Sequence, residues 1–438
     1  MNRRVVITGM AGLSALGLDW STVSQALKVG KSAVKIMPAW TVVEGLRTHL
    51  GAPIEDFAVP EHYTRKQIRS MGRVSLLATR ATELALEDAG LLDSSEQTDG
   101  RMGAAFGSGT GSPPASQVFF NSLHTHQRLR GISSTTYIKM MSNTCVANLG
   151  QFFKLKGRLI PTCSACTSGS QALGFAYEAV KFGQQDFMVA GGAEELSVSE
   201  AAMFDVLYAT SIRNDAPEQT PAPFDRDRDG LVIGEGSASF VLETLESATA
   251  RGARIYAELL GHGANSDGEH MTAPSVAGMQ RVMKLALDDA GLAPQDIGYV
   301  NAHGTATEVG DITESEATNR VFGKSMPISS LKGHVGHTMG ACGALETWMA
   351  LHMAREGWFA PTLKLNAVDP RCAPLDYIMG EKRKLDVEHI MCNNFAFGGI
   401  NTSLVFKIKY CNAGRRRLSE PFSYEWQENG RPDLVNKN

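Results

Sequence analysis

The sequence predicts an α/β fold built from two similar halves, and three observations predict it. Strand-like apolar runs alternate with segments of helical periodicity along most of the chain, which implies mixed, largely buried sheets covered by helices. A heptad recurs: ALEDAGL (85–91) closes one helical pattern and ALDDAGL (286–292) closes another. Each copy is followed by an Asp and a strand-like run into a polar, Gly-rich turn, MGAAFGSGTGS after the first and IGYVNAHGTAT after the second. Each half also carries a strand, a turn and a helix rich in small residues: RLIPTCSACTSGSQALGFAYEAVKFG (158–183) and ISSLKGHVGHTMGACGALETWMALHMA (328–354).

In chain order, VVITG predicts an opening strand over Val5 to Thr8, followed by a glycine turn, and Trp20 to Lys28 a short helix. Met71 to Ala89 places Val74, Leu77, Ala78, Ala81, Leu84 and Ala85 on one helical face, and Gly90 ends it. FGSGTGS (106–112) lacks both the Lys-Ser/Thr of a P-loop and a full G-x-G-x-x-G, so it reads as a glycine turn lining a pocket wall. Leu159 to Pro161 is a strand, and Ala172, Ala176, Ala179 and Val180 recur at helical spacing until Gly183. Cys166 then falls in the helix's first turn, where the positive end of the helix favours thiolate. Phe187 to Ala190, Ser237 to Glu243 and Gly298 to Val300 are further strands, and Cys392 to Ile408 reads as two strands around FAFGGIN. The expected division is a first half over 1–250, a second over 251–410 and a polar extension over 411–438, which includes Arg415 to Arg417 and offers few aliphatic residues to bury.

A net charge of −4 and a pI near 6.3 give no reason to expect nucleic acid or an anionic membrane as a partner. Seven cysteines, an odd number without disulfide-framework spacing, imply a reducing, cytoplasmic setting. Arg3 and Arg4 precede the largely apolar stretch Val5 to Leu18, but Gly9, Gly12 and Gly17 interrupt it, which fits a strand and turn better than a signal peptide. No stretch is long and apolar enough for a membrane span.

Cys166, His303 and His337 each stand at a strand-end turn. Each has a bland alternative as a buried core residue. Together they make a thioester-forming nucleophile beside two imidazoles able to donate hydrogen bonds to a developing oxyanion. Two other chemistries use the same letters. Cys163-Ser-Ala-Cys166 has the spacing of a redox pair, and Cys163, Cys166, His334 and His337 could ligate zinc, although neither the domain context nor the second spacing fits.

The motifs resemble those of the β-ketoacyl-acyl-carrier-protein synthases, the elongating condensing enzymes of the thiolase superfamily, over roughly residues 3 to 408. SACTSG (164–169) is similar to the nucleophile motif and PFDRDRDGLVIGEG (223–236) to the central motif. HGTATEVGD (303–311) and KGHVGHTMGACGALE (332–346) are similar to the two histidine motifs, and NNFAFGGINTSLVF (393–406) to the Gly-rich closing segment.

The resemblance implies a thiolase-like fold of five layers, α-β-α-β-α, and a decarboxylative Claisen condensation between a Cys166-bound acyl chain and malonyl-carrier-protein. It implies that His303 and His337 support decarboxylation and stabilise the enolate, that Lys332 and Glu346 form an ion pair beside the site, and that Thr305 and Thr307 contact the phosphopantetheine arm; Thr272 is a further substrate-binding candidate. It further implies an oxyanion hole from the backbone N–H groups of Cys166 and Phe397, and a gate of Phe397, Gly398 and Gly399. No metal and no resident cofactor are expected, since phosphopantetheine arrives on the acyl carrier protein. The expected partners are that carrier and a second ketosynthase-like chain, either an identical copy or a chain-length factor.

Arg65, Lys66 and Arg69, with Arg73, offer a basic stripe for an acidic carrier. Two histidines, in place of one histidine and one asparagine, resemble the elongating branch. A catalytically idle chain-length-factor-like subunit is the alternative reading. Ala396 stands where relatives have Gly, the stretch after Lys332 reads Gly-His-Val, and SNTCVAN (142–148) is polar where an alkyl pocket would be apolar. These departures suggest a substrate other than a plain saturated chain, which an aryl-polyene or polyketide chain would fit; the elongation expected is of a fatty acid or of such a polyene or polyketide.

Overall fold

The computed structural model describes residues 3–408, so the extension over 411–438 and Cys411 lie outside the described residues. In the first half the strands of the large sheet are β1 (Val5–Ser14), β2 (Met102–Gly107), β3 (Leu159–Thr162), β4 (Phe187–Glu194) and β5 (Gly236–Thr244). In the second they are β6 (Ala257–Ser266), β7 (Tyr299–Asn301), β8 (Pro327–Ser329), β9 (His389–Ala396) and β10 (Ile400–Ile408).

From edge to centre, the first half runs β3-β2-β4-β5-β1 and the second β8-β7-β9-β10-β6. Both orders read third, second, fourth, fifth, first. The pairings match as well: β2 is parallel to β3 and β4, and β7 to β8 and β9, while the β4–β5–β1 and β9–β10–β6 pairings are antiparallel. The duplication suspected from one heptad is therefore a duplication of topology. The glycines of the two heptads, Gly90 and Gly291, both sit at φ +66°, the left-handed stop that glycine adopts without steric cost. The half-sheets are not separate: Val5, Val6 and Ile7 of β1 pair with Leu259, Glu258 and Ala257 of β6, giving one continuous sheet that also takes in the edge strand Asp376–Tyr377.

Six helices build the layers: α1 (Arg73–Asp88), α2 (Thr144–Phe152), α3 (Ser168–Lys181), α4 (Val276–Ala290), α5 (Glu308–Phe322) and α6 (Cys342–Glu356). Val74 and Ala78 of α1 and Leu149 of α2 pack on Met102, Phe106 and Val189, covering the outer face of the first half. Met279 and Val282 of α4 and Ala317 of α5 do the same on Val300, Met391 and Val405 of the second. Leu173 and Ala176 of α3, with Trp348 and Met349 of α6, share one core with Ile7 and Phe240 from the first half and Leu404 and Phe406 from the second. These two helices are the middle of the five layers.

β1 runs on to Ser14, through the glycines expected to form a turn. A Cβ on Gly9 would lie 2.2 Å from the Ala85 carbonyl oxygen and one on Gly12 2.4 Å from the Trp348 ring, so both glycines serve close packing of a helix on the strand. Among the described residues, no helix is long and apolar enough to cross a membrane.

Candidate active site

Beyond β3 the chain makes a tight elbow, with Ala165 at φ +49° and the N–H groups of Thr167 and Ser168 bonded to the carbonyls of Ser164 and Ala165 at 3.1 Å each. Cys166 stands just ahead of α3, before the cap residue Thr167, and not within the first helical turn. It is buried, and burial pushes its thiol up to about 11, with the Lys332 charge pulling the other way. The expected thiolate preference from the helix end is therefore outweighed.

Small residues decide what meets Cys166. A Cβ on Gly169 of α3 would fall 2.9 Å from the Ala344 nitrogen, and one on Gly343 of α6 2.7 Å from the Ser170 nitrogen. Without those side chains the two middle-layer helices start against each other. The His337 Nε2 atom then lies 3.1 Å from the Cys166 Sγ, and the Cys342 thiol donates to the Cys166 carbonyl at 3.1 Å.

The hydrogen bonds fix both imidazoles in one form. The Met339 N–H donates to His337 Nδ1 at 3.0 Å, so the ring's own proton sits on Nε2, facing the sulfur. His303 Nδ1 faces the Lys332 ammonium at 3.3 Å and the Asn394 amide at 3.4 Å, which likewise leaves its proton on Nε2. Burial first, and then the Lys332 charge, holds both rings well below the ordinary histidine range, so they are neutral at pH 7. The two ring centroids are 5.2 Å apart, and the Cys166 sulfur and one nitrogen of each ring all lie within 4.8 Å of one another. A metal on Nε2 would require the ring proton on Nδ1, but both Nδ1 atoms are unprotonated acceptors of hydrogen bonds, so this donor pattern opposes metal ligation. The zinc quartet is also taken apart: His334 faces the carbonyls of Lys31 (3.0 Å) and Pro361 (3.1 Å). Cys163 is exposed, with its Sγ toward the Gly109 carbonyl, which also separates it from Cys166 as a redox partner.

Lys332 is completely buried, and its Nζ donates to Glu346 at 2.6 Å and to the His303 carbonyl at 2.5 Å. Burial opposes its charge, but Glu346 prevails and the ammonium is held protonated. Asn301 and Asn394 turn their amides toward the second oxygen of Glu346 at 3.4 and 3.5 Å. Neither asparagine was singled out from the sequence. The available signal was an asparagine at the end of one buried strand, Tyr299–Asn301, and an asparagine pair, Asn393 and Asn394, within another, His389–Ala396, polar groups that a buried site must satisfy.

The loop after β7 is held from behind. The Glu314 carboxylate accepts the N–H groups of His303 and Gly304 at 2.7 Å each, and burial pushes Glu314 up to about 8. Asp311 accepts the N–H groups of Thr305 (3.0 Å) and Ala306 (3.1 Å) and pairs with Arg228 at 3.3 Å. Arg228, from the central motif, also binds Asp369 at 2.7 Å and the Glu308 carbonyl at 2.8 Å. That motif is thus scaffolding for the Thr305–Thr307 loop.

A cavity of about 340 Å³ opens from Cys166, His303 and His337 past Phe397 toward Thr305, Thr307 and Thr272. Phe397 packs on Phe204 at 5.7 Å. Gly398 (φ +88°) and Gly399 (φ +68°) form the turn after β9; the Gly398 N–H donates to the Met271 carbonyl at 2.7 Å, and the Gly399 carbonyl accepts the Asp267 N–H at 2.8 Å. Ala396 lies in β9, paired with Ile400, so its methyl group takes no freedom from the turn.

Other expectations change. FGSGTGS does not line the cavity; it wraps the Glu194 carboxylate with the N–H groups of Gly109 (2.6 Å) and Thr110 (3.3 Å). Residues 142–148 lead into α2, where buried Asn148 bonds to Ser70, Ser75 and Thr144, so their polarity says nothing about a chain pocket. Arg65, Lys66 and Arg69 are exposed, Arg65 and Lys66 on a separate helix (Arg65–Ile68) that Arg69 caps, whereas Arg73 turns inward to Glu235 and the Ile54 carbonyl and leaves the stripe.

The family model described as "Beta-ketoacyl synthase, N-terminal domain" matches residues 2–248, and "Beta-ketoacyl synthase, C-terminal domain" matches 256–366. The chain is 38% identical over 407 residues to 3-oxoacyl-(acyl-carrier-protein) synthase 1 of Haemophilus influenzae, covering 92% of this chain and 99% of that one. A solved β-ketoacyl synthase from Burkholderia phymatum STM815 superposes with a TM-score of 0.92 at 56% identity, covering 93% of this chain and all of that one. A type II PKS acyl-carrier protein in complex with its ketosynthase bound to the hexaketide aligns with a TM-score of 0.85 at 28% identity, over 93% of this chain and all of that one.

Proposed function

The chain belongs to the β-ketoacyl synthase family, and on that premise we propose how its residues divide the reaction of a β-ketoacyl-acyl-carrier-protein synthase. This acyltransferase joins a Cys-bound acyl chain to malonyl-carrier-protein with loss of carbon dioxide. The reading of a catalytically idle partner subunit is not favoured, because the relatives are synthases and Cys166 keeps its two histidines.

In the loading step the Cys166 sulfur attacks the thioester carbonyl of the acyl-carrier-protein. The C–S bond to phosphopantetheine breaks, and the thiol proton passes to the departing sulfur, so no net proton is taken up. The backbone N–H groups of Cys166 and Phe397 receive the tetrahedral oxyanion. In the second step malonyl-carrier-protein loses carbon dioxide, and the electron pair left behind becomes an enolate whose oxygen accepts from the Nε2–H of His303 and of His337. The enolate carbon attacks the Cys166 thioester; the Cys166–carbonyl bond breaks, the β-ketoacyl chain leaves two carbons longer, and the thiolate regains a proton from water.

The single observation that carries this division is the pair of sealed Nδ1 atoms, which makes both rings obligatory Nε2–H donors toward the cavity. Lys332 and Glu346 hold His303 in that form. Thr305, Thr307 and Thr272 flank the path of the phosphopantetheine arm, and Phe397 with Gly398 and Gly399 forms the gate. No resident cofactor is assigned.

Arg65, Lys66 and Arg69 would receive the acidic carrier; reversing all three charges should raise KM for carrier-bound substrate several-fold and leave turnover of a small pantetheine thioester unchanged. The edge strand β3, with Leu159 41% exposed, supports pairing with a second ketosynthase-like chain, and sedimentation of the chain alone tests whether an identical copy suffices.

The decisive test of the histidines separates the half-reactions. His303→Ala and His337→Ala should each slow malonyl decarboxylation by about 10²–10³, the cost of one oxyanion donor, while Cys166 still loads. Unimpaired decarboxylation in either variant would remove that residue from the mechanism.

A further inference from the structure

Three buried carboxyls, Glu194, Glu195 and Glu200, lie behind the site and take no part in the chemistry above. Glu194 ends β4, and Glu200 sits in the first turn of the helix Val198–Asp205. The Thr110 Oγ1 atom lies 3.0 Å from Glu194 Oε1 and 2.8 Å from Glu200 Oε1. A hydroxyl has one proton to give and two ionised carboxylates have none. Both contacts are hydrogen bonds only when one of the carboxyls is protonated and donates to the threonine oxygen.

The remaining partners say which one. Glu194 also accepts the N–H groups of Gly109 (2.6 Å), Thr110 (3.3 Å) and Gly340 (2.9 Å) and the Ser108 hydroxyl (2.8 Å), a set of donors that suits an anion. Glu200 accepts the Ser197 N–H at 2.9 Å on its other oxygen. The proton therefore belongs on Glu200 Oε1 and the chain reads Glu200–H to Thr110, Thr110–H to Glu194. Two carboxyls face Glu200, those of Glu194 and Glu195; burial raises Glu194 too, against the donors around it, but burial and then the charge of Glu194 push Glu200 well above the ordinary range, and Glu195 itself is pushed by burial up to about 7.

Gly340 connects this chain to the site. Its N–H reaches the Glu194 carboxylate, and a Cβ there would stand 2.7 Å from the same oxygen. The residue before it, Met339 at φ +50°, presents the N–H that seals His337 Nδ1. We propose that Glu200 is a neutral carboxylic acid that, through Thr110, keeps Glu194 as the anion anchoring the Met339–Gly340 turn, and thereby positions His337 with its proton on Nε2. The inference rests on the reading of His337 as a donor. Glu194, Thr110 and Glu200 are positioning residues that touch no reacting atom.

The consequence is a pH dependence. When Glu200 ionises, a second anion faces Glu194, the Thr110 proton serves only one of them, and the turn behind His337 loosens. Decarboxylation per folded molecule then declines on the alkaline side. In Glu200→Gln the amide N–H donates to Thr110 at every pH and cannot ionise.

The test compares the full-length wild type, Glu200→Gln and Glu200→Leu by infrared difference spectroscopy and by the pH profile of malonyl decarboxylation. The expected result is a protonated-carboxyl C=O band at pH 7 in the wild type that Glu200→Gln lacks. Glu200→Gln should decarboxylate within about twofold of wild type at pH 7 with no alkaline decline, and Glu200→Leu should lose about tenfold or more. Absence of a Glu200-dependent acid band, or a Glu200→Gln profile that declines like the wild type, would overturn the proposal. Failure of the donor reading shows separately, as full decarboxylation by His337→Ala in a protein that still carries the acid band, and it would overturn the positioning role.

Discussion

After β3 the chain turns sharply through Ala165 and presents one reactive group, Cys166; after β8, at the equivalent place in the second half, it passes buried Lys332 and presents His337 ahead of α6. The first turn brings no charge of its own to the nucleophile. Its sulfur meets an imidazole from the second half, and its carbonyl accepts the Cys342 thiol from the same half. The second half brings the two imidazoles, the ammonium and the Glu346 carboxylate. Duplication thus supplied two like frames, and the chemistry arose from letting one carry the nucleophile while the other carried the polar groups that act on it. The turns after β2 and β7 show the same contrast. Both wrap backbone N–H groups around a buried carboxylate, Glu194 in one case and Glu314 in the other, but only the second includes a histidine aimed at the cavity.

The sharpest way to break this division is to remove the charge of the second half. Lys332→Met leaves Glu346 buried and unpaired, which should cost about 3–5 kcal/mol of stability and release His303 from its donor form. Equilibrium denaturation should show the loss, and the double variant Lys332→Met/Glu346→Leu should regain much of it without regaining condensation. A double variant as active as wild type would mean that the ion pair has no part in setting His303.

A smaller effect follows from the depressed histidines. Their unfolded forms bind protons below about pH 6.5 and their folded forms do not. Their contribution to stability is therefore complete above pH 6.5 and falls as the pH drops, by about 1.4 kcal/mol per histidine for each pH unit. Between pH 8 and 6 the decarboxylation rate per folded molecule should show no histidine inflection near 6.5. An inflection there would place an ordinary, solvated imidazole in the site.

The particular residues explain what the sequence made legible. Cys166, His303 and His337 could be placed because each lies in a short motif at a strand-end turn, Lys332 and Glu346 because their motif resembles one of the family's, and the repeat ALEDAGL/ALDDAGL exposed the duplication through glycines that share one left-handed role. What was not legible depends on contacts between distant segments. Gly9 and Gly12 read as turn residues because their true partners, Ala85 and Trp348, lie far along the chain. Arg73 read as surface charge until Glu235, 162 residues away, drew it inward. Glu314 drew no reading and Asp311 was only the last letter of the first histidine motif, although their carboxylates fold the loop that holds His303, Thr305 and Ala306. The polar run over 142–148 suggested an unusual chain pocket, whereas it packs on α1 and the residues before it.

The measurement that tests the division most directly is intact-protein mass spectrometry of the purified chain mixed with acyl-carrier-proteins of different chain type, followed by malonyl-carrier-protein. The expected result is a mass gain of one acyl group on the wild type and on His337→Ala, none on Cys166→Ala, and a β-ketoacyl product two carbons longer from the wild type alone. Acylation of Cys166→Ala, or condensation by His337→Ala at the wild-type rate, would contradict it.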